Sequence, residues 1–142
     1  MIRVEWLNEK NCIYGIMEKL SSDFFDKNVD RRQLSKKIAE YGHFCVAYDD
    51  DCAVGFAGYY ANDSLGKIGY LSTIVVSKKH QGKGIGSVLL RECLNDCRKK
   101  GMEKCRLEVN INNQRAIPFY EAKGFKKESK ATQTSDYYIC EL

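Results

Sequence analysis

The segment from Lys67 to Ile111 constrains the fold more than any other part of the chain. It opens with "KIGYLSTIVV", a run of β-branched and aromatic residues bounded by turn formers, which reads as a strand. Gly82, Gly84 and Gly86 follow within "QGKGIGS". Then Leu89, Leu90, Cys93, Leu94 and Cys97 recur at helical spacing, while Arg91, Glu92, Asn95, Asp96 and Arg98 fall on the other side. "RKKG" closes that helix, with cations suited to the last turn and Gly101 suited to the position just past it. "KCRLEVNI" is a second strand. A strand, a helix and a strand at this spacing join two parallel neighbours through a right-handed crossover. Residues 68–110 therefore predict the parallel core of a sheet.

The flanks add to that sheet. "IRVEWL" alternates as an opening strand, and residues 12–21 and 31–41 read as helices. Leu34, Ile38 and Tyr41 share one helical face, and Gly42 supplies a C-terminal stop. "HFCVAY" and "AVGFAGYY" form a hairpin around a solvated acidic tip, Asp49 to Asp51, and extend into the core strand as an antiparallel meander. "NQRAIPFYEAK" predicts a short helix ended by Gly124. Pro118 suits a helix interior poorly, so its first turn is irregular or the helix starts late. "FKKES" and "YYICEL" make a terminal strand pair. The order β-α-α-β-β-β-α-β-α-β-β predicts a mixed α/β fold: one mostly antiparallel sheet of six to seven strands with helices on both faces. With 142 residues, 44% of them hydrophobic, and no linker or repeat, one domain over 1–142 is expected.

Several function classes drop out. A net charge of +4 without a concentrated basic stripe does not suit a nucleic-acid binder, but modestly favours an anionic small ligand. No apolar run approaches the roughly 18 residues of a membrane span, and "MIRVEWLNEKN" lacks the apolar core of a secretion signal. The seven cysteines include no CxxC. Cys93 and Cys97 lie one helical turn apart, but with only His43 and His80 as histidines no second ligand pair stands out, so no metal is expected. The cysteines read as small apolar core residues of a reduced, cytoplasmic protein.

The glycine run carries the chemistry. A dinucleotide fingerprint would need glycine at position 87, where Ser87 stands, and the P-loop pattern is absent. A plain nucleotide-binding domain is disfavoured on that spacing. Glycines after a strand still let the backbone approach a ligand. The first N–H groups of the following helix lack internal partners and, with the dipole, make an anion site. Lys78, Lys79 and Lys83 flank it. A tight turn would explain one glycine but not three.

Gln81-Gly82-Lys83-Gly84-Ile85-Gly86 resembles the acyl-CoA motif of the GNAT acetyltransferase superfamily: Arg or Gln, two residues, Gly, one residue, Gly or Ala. Downstream, Asn113, Ala116, Ile117, Tyr120, Glu121, Gly124 and Phe125 match a second signature of the family at its usual spacing. The element order is also the family's, so the resemblance covers essentially the whole chain. It implies that acetyl-CoA lays its pyrophosphate on the N–H groups of Gly82, Lys83, Gly84, Ile85, Gly86 and Ser87, beside Gln81. Its pantetheine arm would pair with the backbone of the fourth strand around Ile74, Val75 and Val76, which requires the fourth and fifth strands to splay apart. Asn113 would touch the arm or the far end of the cofactor, or simply cap the helix after it.

The same resemblance implies an acyltransferase: an acetyl-CoA-dependent N-acetyltransferase acting on a primary amine by direct attack in a ternary complex. Tyr120 matches the family's proton donor to the departing sulfur, against the plainer role of a packing aromatic. Glu108 stands where some members place a general base, against the plainer role of a polar strand residue. Leu107, Val109 and Ile111 are expected on one strand face, with Glu108, Asn110 and Asn112 on the other. His80 falls near the phosphates rather than the thioester. The alternative is a GNAT-like module that binds acyl-CoA without turnover. The acceptor, a small-molecule or peptide amine, would be set by residues 12–41 and the C-terminal hairpin, and a homodimer stays open.

Overall fold

The computed structural model describes all 142 residues. Its elements are β1 (Ile2–Leu7), α1 (Lys10–Lys19), α2 (Arg31–Tyr41), β2 (His43–Asp49), β3 (Cys52–Tyr60), β4 (Ile68–Val76), α3 (Ile85–Lys99), β5 (Lys104–Asn110), α4 (Ala116–Ala122), β6 (Lys126–Lys130) and β7 (Ser135–Glu141). The predicted order forms. One seven-stranded sheet runs β1-β2-β3-β4-β5-β7-β6. Only β4 and β5 pair in parallel, and β2, β3 and β4 form the antiparallel meander.

Two apolar clusters cover the two faces. On one, Leu89, Leu90 and Cys93 of α3 and Tyr120 of α4 pack onto Ala57 and Leu107. On the other, Ile13 and Met17 of α1 and Ile38 of α2 pack onto Phe44, Val46 and Phe56. Each large side chain of this kind, taken fully out of water, contributes about 1.5–3 kcal/mol. Phe44 and Phe56 stack at 5.2 Å between ring centres. No helix is long and apolar enough to cross a membrane.

Three local expectations are corrected, and a fourth, the late start of α4, is met. α1 starts at Lys10 rather than position 12, because the Glu9 carboxylate accepts the Asn11 N–H and caps the helix there. Gly42 does follow α2, but with φ −128° and ψ −161° it is extended rather than left-handed. Its smallness serves packing instead, since a Cβ there would sit 2.8 Å from the Tyr59 carbonyl oxygen and 2.9 Å from the Tyr60 ring. Ile111 lies beyond the end of β5 in a turn, 47% exposed, and does not share the buried face of Leu107 and Val109. α4 begins only at Ala116, which places Pro118 in its first turn, where a missing N–H costs no helical bond.

Candidate active site

The sheet opens at one place. β4 and β5 pair from Ile68 opposite Lys104 to Leu71 opposite Leu107, and no further. Beyond Leu71, β4 runs on to Val76 and β5 to Asn110 without pairing to each other. On the other side of β4, the register with β3 passes from Tyr59 opposite Leu71 to Gly58 opposite Thr73, so Ser72 is an extra residue. Such a bulge bends and twists its strand, and here it coincides with the point where β4 leaves β5.

The free edge of β4 faces that gap. Ser77 N–H donates to Val54 O at 2.8 Å across the β3 side. Antiparallel alternation then turns Thr73 and Val75 toward β3 as well, and turns the backbone N–H and C=O groups of Ile74 and Val76 toward the gap. The Val76 carbonyl meets the Gln81 side chain there, whose Nε2 donates to it at 3.2 Å. Gln81 thus ties the glycine turn to the strand.

The turn itself sorts the three glycines. Gly82 and Gly84 have φ of +83° and +82°, a left-handed backbone that favours glycine. Gly86 does not; it sits inside the first turn of α3. A Cβ there would make only ordinary contacts, 3.6 Å to Phe119 of α4 and 3.7 Å to Val76 of β4. No side chain caps α3, and the N–H groups of Ile85, Gly86 and Ser87 find no protein acceptor. α1 and α2 are both capped by side chains. The longest helix of the chain therefore presents bare donors. Lys78, Lys79 and Lys83 are exposed around it. His80 lies instead toward the β2–β3 turn, its Nε2 4.0 Å from Asp49 Oδ2.

Tyr120 and Glu108 lie on opposite faces of the sheet. Tyr120 is 6% exposed and belongs to the α3–α4 cluster, edge-on to Phe119 and Phe125. Burial, and beyond it the Cys93 and Cys105 thiols, push its phenol well above the usual value, so it stays protonated across the physiological range. Its hydroxyl is not among the orphaned buried polar atoms, which are Tyr60 Oη and His80 Nδ1. Leu107 and Val109 turn into the Tyr120 cluster, so alternation sends Glu108 to the other face. Glu108 is the first β5 residue past the last β4–β5 pair. Asn113 Oδ1 accepts the Ala116 N–H at 3.2 Å, so its side chain caps the start of α4.

Sequence reasoning missed two neighbours of the predicted site residues. Phe119 lies beside Gly86, and Ser135 donates to Glu108 Oε2 at 2.6 Å. Phe119 adjoins Tyr120 in the second signature, a signal that was present. Ser135 carries none, because a serine at the end of a turn is ordinary.

The Acetyltransferase (GNAT) family is the one whose model matches this chain, over residues 5–125. The chain belongs to that family. The thialysine N-epsilon-acetyltransferase of Bos taurus is 34% identical over 82 residues, which are 56% of this chain and 48% of that protein. The ribosomal protein bS18-alanine N-acetyltransferase of Escherichia coli K12 is 35% identical over 68 residues, 48% of this chain and 44% of that one. The E. coli ribosomal-protein-S18-alanine N-acetyltransferase has been solved; it shares the fold with a TM-score of 0.81 at 18% identity, over 100% of this chain and 94% of that one. The PaiA N-acetyltransferase of Thermoplasma acidophilum, solved in complex with coenzyme A, has a TM-score of 0.80 at 18% identity over 99% of both chains. The chain spans about half the length of the curated relatives it matches. As a GNAT fold, the molecule has its parallel β4–β5 pair and the divergence of that pair where the family motif implies them.

Proposed function

We propose that residues 1–142 act as one acetyl-CoA-dependent N-acetyltransferase domain, which moves an acetyl group to a primary amine by direct attack in a ternary complex. The observation that carries this reading is the β4–β5 gap, with bare α3 donors and Tyr120 on one face and Glu108 on the other. The residues fit the cosubstrate. The N–H groups of the Gly82–Ser87 turn and α3 would take its pyrophosphate. The backbone of Ile74 to Val76 would pair with its pantetheine arm. Asn113, whose side chain caps α4, would touch the arm or the far end of the cofactor. Bound there, acetyl-CoA supplies a thioester whose acyl carbon is open to an amine.

The chain's own groups then divide two proton transfers. A primary amine of pKa about 10 is mostly protonated at pH 7. Glu108, on the outer face of the gap, takes that proton directly or through water. A free N–H of β4 stabilises the negative charge that grows on the carbonyl oxygen. Tyr120, held protonated by burial, gives its proton to the departing sulfur and is reprotonated, through solvent, as the nitrogen of the tetrahedral intermediate gives up its second proton. The acceptor is a small-molecule or peptide amine met in the cytoplasm. Its entry side is the face that carries Glu108, bordered by α1, α2 and the β6–β7 hairpin.

Two measurements test this reading. Acetyl-CoA at a hundredfold excess over its Kd should stabilise the fold by about 2.7 kcal/mol. Thiol release from acetyl-CoA should depend on an amine from a panel of peptides, lysine analogues and polyamines. Absence of any thermal shift at millimolar acetyl-CoA sinks the binding part. Binding without amine-dependent release sinks the transferase part.

A further inference from the structure

The β6–β7 turn brings two hydroxyls onto the Glu108 side of the sheet. In the β5–β7 register Tyr137 stands opposite Glu108 and Ser135 opposite Asn110, so Ser135 is a diagonal neighbour of Glu108 on one face. Ser135 is 5% exposed, and its Oγ donates to Glu108 Oε2 at 2.6 Å. A hydroxyl carries one proton. With that proton committed to the carboxylate, the 2.7 Å contact between Thr132 Oγ1 and Ser135 Oγ is a bond donated by Thr132. Thr132 Oγ1 in turn accepts the Thr134 N–H at 3.1 Å. The direction of the whole chain follows: Thr134 N–H to Thr132, Thr132 to Ser135, Ser135 to Glu108. The turn that holds it is closed by the N–H groups of Ala131 and Thr132, which both donate to Ser135 O, at 3.0 and 3.1 Å.

A glutamate on an exposed stretch of strand otherwise spreads over many rotamers. Here one carboxylate oxygen is held from behind and the other is left free at the mouth of the gap. We propose that Ser135 is a positioning residue that locks the Glu108 carboxylate for proton abstraction from the acceptor amine, and that Thr132 sets the direction of the Ser135 hydroxyl. The proposal rests on Glu108 being the base named above. Ser135 touches no substrate; it acts through Glu108 alone. The β6–β7 turn is thereby tied to the chemistry as well as to the acceptor entrance.

The test uses the whole chain and four variants, Ser135→Ala, Ser135→Thr, Thr132→Val and Glu108→Gln, with the Ser135→Ala/Glu108→Gln double variant. Loss of alignment at a reacting group costs up to about a hundredfold, so Ser135→Ala should lower kcat about tenfold while the KM for acetyl-CoA stays constant. Ser135→Thr, which keeps the hydroxyl, should recover most of that loss. Thr132 is exposed, so Thr132→Val keeps the fold and should show a loss of a few fold. In the Glu108→Gln background Ser135→Ala should add nothing further. A full rate in Ser135→Ala, or losses that multiply in the double variant, overturns the proposal. Crystal structures of wild type and Ser135→Ala judge it without any turnover: the Glu108 carboxylate should leave its place when the hydroxyl goes. An unmoved carboxylate overturns the positioning role. A Glu108→Gln variant with the wild-type rate removes the base assignment itself, and is read separately.

Discussion

Gly86→Ala tests the match to the acyl-CoA motif, because it should raise stability while leaving coenzyme A affinity nearly unchanged: the motif takes Gly or Ala at this position. Gly86 has no left-handed backbone to protect and lies in the first turn of α3. Alanine there removes unfolded-chain entropy and adds helix propensity, stabilising the ligand-free protein by about 0.4–1 kcal/mol. For a chain of this size that is a rise in Tm of about 1–4 °C. The new Cβ meets Phe119 and Val76 at 3.6 and 3.7 Å, ordinary contact distances, so overpacking does not cancel the gain. The same methyl is what the acyl-CoA motif allows at this position, so the N–H groups of Gly86 and Ser87 should stay open to the pyrophosphate. Losing one charge-assisted hydrogen bond would cost about 1.5–3 kcal/mol, a roughly 10- to 150-fold weaker Kd for coenzyme A, and no such loss is expected. Differential scanning calorimetry gives the first quantity and titration calorimetry with coenzyme A the second. A Kd weakened tenfold or more would refute the match of Gly86 to the motif's Gly-or-Ala position. A fall in Tm would show instead that the α3–α4 contact itself requires glycine. Gly84→Val cannot make this distinction, since φ +82° strains any side chain at that position.

Tyr120→Phe keeps the ring against Phe119 and Phe125 and removes only the hydroxyl. In a chemistry-limited assay kcat should fall toward the low end of the ~10²–10⁴-fold range of acid–base catalysis, with coenzyme A affinity constant; a full rate would make Tyr120 a packing residue. Glu108→Gln should slow strongly basic acceptors most, and the loss should shrink with an amine that is already neutral at the assay pH. An equal loss for both acceptors would remove Glu108 as the base. Asp96 offers a test of stability against pH. Burial pushes its carboxyl up, but hydrogen bonds from Lys100 and Tyr59 outweigh that and hold it below its ordinary 3.8. Its contribution is therefore present above about pH 3.8 and lost as pH falls through the lower folded value. Asp96→Ala strands the hydroxyl of Tyr59, which is 1% exposed, and should cost about 1–3 kcal/mol at pH 7. Urea midpoints should show that difference narrowing at pH 3; a difference that stays constant would contradict the assigned pairing.

What the sequence by itself determined was local. Periodicity placed the strand, helix and strand of residues 68–110 and the apolar stripe of Leu89, Leu90, Cys93 and Cys97. Pro118 announced the late start of α4, and Gly101 and Gly124 end their helices with φ of +90° and +95°. The two family signatures drew attention to Tyr120 and the glycine turn before any fold was known. These features are legible because sterics and hydrogen bonding within a few residues decide them. Three glycines in a row of alternate positions looked alike in sequence. Only the structure shows that Gly82 and Gly84 need a left-handed backbone while Gly86 lies in ordinary helix facing Phe119 and Val76. Where β4 leaves β5 depends on an extra residue, Ser72, in a pairing between strands brought together by folding. Packing puts Tyr120 and Glu108 on opposite faces of the sheet, and the β5–β7 register puts Ser135 beside Glu108 from 27 residues away. Such placements rest on long-range register, which no local pattern of residues encodes; they exist only once the two faces of the sheet have packed.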